Sequence, residues 1–438
     1  MWVKKVLKSI LIIKKHNIIN YILYIIFASI FLELPNTGAE YMKNAGISFY
    51  HIISTNAIIA VLVYLYIIRG VKLRQFSELC NRNIVVLLLM LVPILMSALN
   101  AYDVMLGFLY LRNYLFFYFL CVLVFWRLKT KEDVLSLLVV FSLVGTVFAV
   151  LILSFSNISE IAAYLKTWQA GKPVTYRLTV FGINANTLGY IFAVMFIINI
   201  SLLQKNSKWN VFLIGAGMLD IYCVLMTFSR SGFAGLVIGV VVYTMLKFRF
   251  SKFLVYILSI GLITYFITDK YFHSHLERFT TLNNLLLKLS GRGGDLSIAL
   301  FGERFHILSK SFEVGMQHFF WGVGGYNLNM FVDEGTHNQF LNMFAENGII
   351  TFVMYFIFVV SIIITLLTMS LRIRNKIGCN WERNILFCLT SIMCISFIQG
   401  MASYLRYDFW VICGMAIAWI RIVKKHTIAK RNLLAISS

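Results

Sequence analysis

Apolar runs long enough to cross a bilayer recur along almost the whole of this 438-residue chain, and no other feature restricts its fold as much. A spanning helix needs about 20 residues at a rise of 1.5 Å each. Runs of that kind lie near residues 17–33, 47–68, 83–100, 104–126, 134–155, 181–203, 209–227, 232–247, 253–268, 347–369, 385–400 and 407–420. Composition agrees: 60% of residues are hydrophobic and 13% charged, against roughly 45–50% and 25% in soluble domains. Backbone polar groups inside lipid need partners within their own segment, and the strict alternation of a membrane barrel is missing. The expected fold is therefore an all-α integral membrane protein of about twelve transmembrane helices.

A formal charge of +21 raises the question of nucleic acid. Most of the 39 lysines and arginines, however, fall in alternate short loops, such as Arg69 and Lys72, Arg127 to Lys131, Lys247 to Lys252, and Arg372 to Lys376. Positive loops stay cytoplasmic, so the charge reads as a topology signal, no nucleic-acid partner is expected, and both termini are placed in the cytoplasm. Basic residues precede the first apolar run, but Phe31, Leu32, Glu33, Leu34 and Pro35 offer no small-residue cleavage site, which makes that run a retained span. The seven cysteines, at 80, 121, 223, 379, 388, 394 and 413, avoid every segment placed outside, so disulfides are not expected.

Three regions follow from this layout: spans one to nine over residues 1–268, a large helical extracytoplasmic loop over 269–346 before the tenth span, and spans ten to twelve with a cytoplasmic tail over 347–438. Inside the loop, Phe305, Leu308, Phe312, Met316 and Phe319 recur near helical spacing, which predicts an amphipathic helix packed on the bundle or on the membrane surface. Gly322, Val323, Gly324 and Gly325 end it as a turn, and a further helix starts near Thr336 and runs into the span at 347.

Four elements placed outside carry the candidate chemistry. They are Thr175-Tyr176-Arg177 with Gly182-Ile183-Asn184-Ala185-Asn186; Ser229-Arg230-Ser231-Gly232; Gly302-Glu303-Arg304; and Glu334-Gly335-Thr336-His337-Asn338, followed by Glu346-Asn347-Gly348. In that order they resemble the O-antigen polymerase/ligase family of lipid-linked glycan transferases, over roughly residues 175–370. The resemblance implies an acceptor hydroxyl attacking the anomeric carbon of a glycan carried on undecaprenyl pyrophosphate, at the outer face of a bacterial cytoplasmic membrane. It implies His337 as general base or orienting group, with Arg304 beside it as a catalytic residue. Arg230, Arg177, Asn186 and Asn338 fall to substrate binding. Guanidinium groups suit a diphosphate leaving group because they stabilise developing charge without moving a proton. An imidazole with a reference pKa near 6.5 is available in its neutral form at pH 7. Thr336 as an N-cap would put His337 in the first turn of a helix, whose positive end also attracts phosphate.

The same resemblance implies an undecaprenyl-pyrophosphate-linked donor and acceptor and membrane lipids as partners, and leaves room for a chain-length regulator. No cofactor and no catalytic metal are implied, since Asp333 and Glu334 form no ligand set with His337. His273, His275, His306 and His318 read as structural or solvated. Arg112 and Asp220 lie inside spans, where charge is costly unless paired or hydrated. Either they form an ion pair, or Arg112 faces the lipid-pyrophosphate cavity and binds substrate. Polymerase is the preferred reading, a ligase acting on lipid A-core the nearest rival, and a lipid-linked oligosaccharide transporter the rival from another class.

Overall fold

A computed structural model describes residues 24, 25, 27, 81–155, 178, 185–204, 207–227, 229–248, 304–332, 338–373, 380–398 and 407–436. Among the described residues the elements are helical: α1 (Arg82–Leu89), α2 (Leu91–Leu99), α3 (Val104–Arg127), α4 (Lys131–Phe155), α5 (Ala185–Leu202), α6 (Trp209–Met226), α7 (Arg230–Lys247), α8 (Arg304–Gln317), α9 (Gln339–Ile373), α10 (Asn380–Ile398) and α11 (Tyr407–Ile436). A 3-10 turn, Leu328–Met330, precedes α9. Six helical stretches, Arg82–Leu99 among them, are long and apolar enough to cross a membrane, and Ser231–Lys247 is apolar but shorter. The chain is a multi-pass helical membrane protein. Expected spans near 47–68 and 253–268, and most of 17–33, lie outside the described residues.

Helix starts follow local polar chemistry. Asp103 Oδ1 caps α3 by accepting from Met105 N at 2.8 Å and Leu106 N at 3.2 Å. Before α4, Thr130 Oγ1 accepts from Asp133 N at 3.2 Å while Asp133 Oδ2 accepts from Thr130 N at 2.9 Å, a reciprocal cap. Each pair satisfies backbone donors that the first turn leaves without helical partners.

α5 lies at the centre: apart from Asn186, Phe196 and Ile200, its residues are buried. It packs against α4, α6, α7 and α10, while α3 packs against α2 and α11. Small residues allow the closest approach, since a Cβ on Gly232 of α7 would lie 2.7 Å from Gly189 Cα of α5. Trp410 of α11 stacks on Phe117 of α3 and Phe358 of α9, with centroids 6.2 and 6.1 Å apart, and fixes those three helices together. On the periphery Val211, Ile214 and Met218 of α6 and Ile350, Val353, Ile357 and Ile364 of α9 are exposed, as lipid-facing stripes should be. At the bundle end away from Asn338, Lys131 pairs with Glu382, and Arg421 Nη2 donates to the carbonyls of Phe125 and Leu128 at 2.9 and 2.8 Å.

α9 is broken at Gly348, whose φ of 76° and ψ of 176° leave the helix. In an unbroken helix Ala345 O would accept from Ile349 N. Here Ile349 N donates to Phe319 O at 2.9 Å, while Val323 N and Gly324 N donate to Ala345 O and Glu346 O at 3.0 and 2.9 Å. Ser97 Oγ of α2 adds a bond to Glu346 O at 2.9 Å. The glycine segment expected only to end a helix therefore inserts into the break and supplies the partners that the break removes.

An amphipathic helix exists as α8, and the side it turns to the protein is not the Phe312, Met316 and Phe319 stripe. Ser311, Val314 and Gly315 are buried, and Val314 joins Val323, Leu328, Val332 and Ala345 in a small core. The expected stripe of Phe312, Met316 and Phe319 stays half-exposed. Small side chains decide this: a Cβ on Gly315 would lie 2.4 Å from the Phe344 ring, a distance no larger residue accepts.

Candidate functional site

Ser229 caps α7, its Oγ accepting from Gly232 N at 3.0 Å and donating to Asn186 Oδ1 at 2.8 Å. Ser231 Oγ lies 3.0 Å from Ser229 Oγ. Two motifs separated by more than forty residues are thus joined through one hydroxyl, over the Gly189–Gly232 contact that lets their helices meet. Arg230 is the first residue of α7, and the structure describes its backbone. Arg177 lies outside the described residues, but its neighbour Leu178 is buried and donates from its N to Met226 O at 3.2 Å, three residues before Ser229.

One turn beyond Asn186, the Tyr190 hydroxyl lies 2.7 Å from Ser396 Oγ of α10. The Ser396 and Phe397 carbonyls each accept from Gln339 Nε2 at 3.2 Å, and Gln339 Oε1 accepts from the Tyr355 hydroxyl at 2.9 Å. Gln339 is fully buried and is the first residue of α9. Beside it Asn338 Oδ1 accepts from Phe340 N and Leu341 N at 3.0 and 3.1 Å. Asn338 is therefore a helix cap, the role expected of Thr336. His337 and Thr336 lie outside the described residues, yet His337 is bonded directly to this cap. Helix α5 carries both Asn186, bonded to Ser229, and Tyr190, bonded to Ser396, and Ser396 in turn meets Gln339, the sequence neighbour of Asn338.

Arg304 begins α8, and the structure describes its backbone. α8 packs on α9 just beyond Asn338, through Gly315 against Phe344. His306 and His318 are exposed, as solvated histidines are.

Arg112 belongs to a second polar group. Its Nε and Nη2 donate to Asn113 Oδ1 at 3.3 and 3.1 Å, and Asn113 Nδ2 donates to the Tyr326 hydroxyl at 2.9 Å. Asp220 accepts at Oδ2 from Asn199 Nδ2 at 2.7 Å, and Asn199 Oδ1 accepts from Ser142 Oγ. The Arg112–Asp220 ion pair is thus not formed. The reason is helix order: α3 packs mainly on α2 and α11, whereas α6 packs on α5 and α4, so Asn199 reaches the carboxyl instead. Burial pushes the Tyr326 phenol above its ordinary range; Asn113 and Arg112 favour its ionised form, and Glu346 opposes it.

Sequence reading missed Gln339, Tyr190, Asn113 and Tyr326. Gln339 carried a usable signal, a polar residue opening an apolar span directly after His337-Asn338. Tyr190, Asn113 and Tyr326 carried none without the tertiary contacts. No curated protein matches the chain. Residues 215–356 match the model of the family described as O-antigen ligase. That segment holds Ser229 to Gly232, Arg304, His337, Asn338 and Glu346 to Gly348, and the match supports the resemblance to the O-antigen polymerase/ligase family.

Proposed function

We propose that this protein polymerises undecaprenyl-pyrophosphate-linked oligosaccharide repeat units by glycosyl transfer at the outer face of the cytoplasmic membrane. The family match supports a glycosyltransferase-like role in polysaccharide assembly. The observation that carries the residue assignment is that α5 bonds to Ser229 through Asn186 and, through Tyr190 and Ser396, meets Gln339 beside Asn338, which draws together motifs far apart in sequence. In this reading the acceptor hydroxyl attacks the anomeric carbon and the bond to the lipid diphosphate breaks. His337 takes the hydroxyl proton, and Arg230 and Arg304 stabilise the charge on the departing diphosphate, with Arg177 in support. Asn186 and Asn338 stand beside the arginine and histidine as helix-start residues, and Arg112 is a further contact for the lipid diphosphate.

The description of the matching family favours one other reading, ligation of a finished glycan to a separate acceptor. Purified protein given lipid-linked repeats and nothing else separates the two. A ladder of products is expected, and His337→Ala removes it while repeat units still reach the outer leaflet in cells. A strict requirement for an added, different acceptor overturns polymerisation in favour of ligation. Normal elongation by His337→Ala removes the assigned centre.

A further inference from the structure

Around α8 the side chains fall into three sectors at roughly 100° per residue. The first sector holds Ile307, Ser311, Val314 and Gly315 and packs on the protein. The next holds Leu308, Phe312 and Met316, and Phe319 and Phe320 continue it past the helix end. The third holds His306, Ser309, Lys310, Glu313 and Gln317. A helix with a protein side and a water side alone needs one apolar sector, not two. The second apolar sector is open: Phe312 is 55% exposed, Met316 51% and Phe320 63%.

Its neighbourhood says what covers it. Ile349 N is bonded to Phe319 O, so Phe319 and Phe320 lie directly against the start of the exposed stripe Ile350, Val353, Ile357 and Ile364 on α9. That stripe is the exposed face of a helix long and apolar enough to cross a membrane. The buried Phe344 ring, 6.0 Å from Phe312 and 6.1 Å from both Phe319 and Phe352, joins the open sector of α8 to α9 from beneath. The open sector of α8 is thus a continuation of that exposed apolar face, with its polar sector on the far side.

We propose that α8 is an interfacial helix whose Phe312, Met316, Phe319 and Phe320 face is immersed in the membrane, with Glu313 and Gln317 toward water. The partner is the lipid surface itself, and the helix carries Arg304 at its first position to the level of the lipid headgroups. Protein, lipid and water each take one sector of the helix, which accounts for all three. This assignment stands on exposure and contact and does not depend on the reaction proposed above.

Spin labels attached at Met316→Cys and Glu313→Cys in the full chain, reconstituted into phospholipid vesicles, test it. Cys121, Cys223, Cys388 and Cys413 are buried, and the background from the native thiols is measured on the unsubstituted chain. At position 316, collision with oxygen, which concentrates in lipid, is expected to exceed collision with a water-soluble nickel chelate; at 313 the order reverses. Ready access of the chelate to position 316 overturns the proposal in favour of a solvated helix. A label at 316 that is immobile and shielded from both overturns it in favour of a protein cover. Phe320→Cys lies outside the regular helix and repeats the measurement should Met316→Cys fail to accumulate.

Discussion

Tyr326 takes a φ of 62°, the one positive value among the described non-glycine residues. That conformation costs an aromatic side chain about 1–3 kcal/mol and persists when surrounding contacts over-determine it. Its contacts are the Asn113 amide at 2.9 Å and the edge of Tyr110, with ring centroids 5.3 Å apart and an interplanar angle of 80°. Both anchor the segment after Gly325 to α3. Tyr326→Phe removes the amide bond and keeps the ring contact, so it should destabilise by about 1 kcal/mol, read as a lower melting temperature in detergent. The pH dependence has a definite sign. Burial raises the folded-state phenol above its unfolded value of about 10, so the neutral form is favoured by folding. The stabilisation it gives is complete below about pH 10 and is lost as pH rises through the folded value. Wild-type melting temperature should therefore fall more between about pH 9 and 12 than that of Tyr326→Phe. Parallel curves would show that Tyr326 does not titrate as assigned.

At the scale of elements, the break in α9 and the segment lodged in it form one unit. Gly348 sits at φ 76°, and a Cβ there would lie 2.1 Å from Phe320 O; Gly322, at φ 71°, would bring its Cβ within 2.3 Å of the Glu346 carbonyl. Any side chain at 348 must push the inserted segment out, exposing the Ala345 and Glu346 carbonyls that it satisfies. Gly348→Ala is expected to cost more than about 2 kcal/mol, from the backbone conformation and the lost bonds together. Gly215 in α6 is the control, because a Cβ there meets nothing within 4 Å. Gly215→Ala in a regular helix should be neutral or stabilising by up to about 1 kcal/mol. Equal melting temperatures for the two variants would remove the unit. This element also marks a limit of sequence reading. Continuous apolar runs reveal helices such as α3 and α6 to within a few residues, because a span must be apolar throughout. The bonds from Val323 and Gly324 to Ala345 and Glu346 leave no periodic trace. The buried sector of α8 was equally hidden, since Ser311 and Gly315 are polar or neutral while Phe312 and Met316 carry the apolar periodicity.

For the whole molecule, two polar networks thread the apolar interior at different places along α5. One is centred on Ser396 and joins α5, α9 and α10 through Tyr190 and Gln339; the other joins α4, α5 and α6 through Ser142, Asn199 and Asp220. The motifs that adjoin the first, Asn186 with Ser229 to Gly232 and His337-Asn338, were legible because their residues are polar at the edges of spans. The partners were not, since helix order decides them and composition does not, as the unformed Arg112–Asp220 pair illustrates. Tyr190 and Asn199 are nine residues apart on one helix, about 13 Å along its axis, so the two networks should be energetically separate. Gln339→Leu removes the bonds that Gln339 makes to the Ser396 and Phe397 carbonyls and to the Tyr355 hydroxyl, and should destabilise by about 1–3 kcal/mol. Tyr190→Phe removes another bond to the same serine. Combining these two should depart from additivity by about 0.5 kcal/mol or more, because Ser396 is shared. Gln339→Leu combined with Asn199→Ala should add within about 0.5 kcal/mol. Denaturation of the single and double variants in mixed micelles measures both couplings. Additive behaviour in the first pair would mean that Ser396 does not connect α5 to the start of α9, and the connection between the Asn186 and Asn338 motifs would lose its middle link.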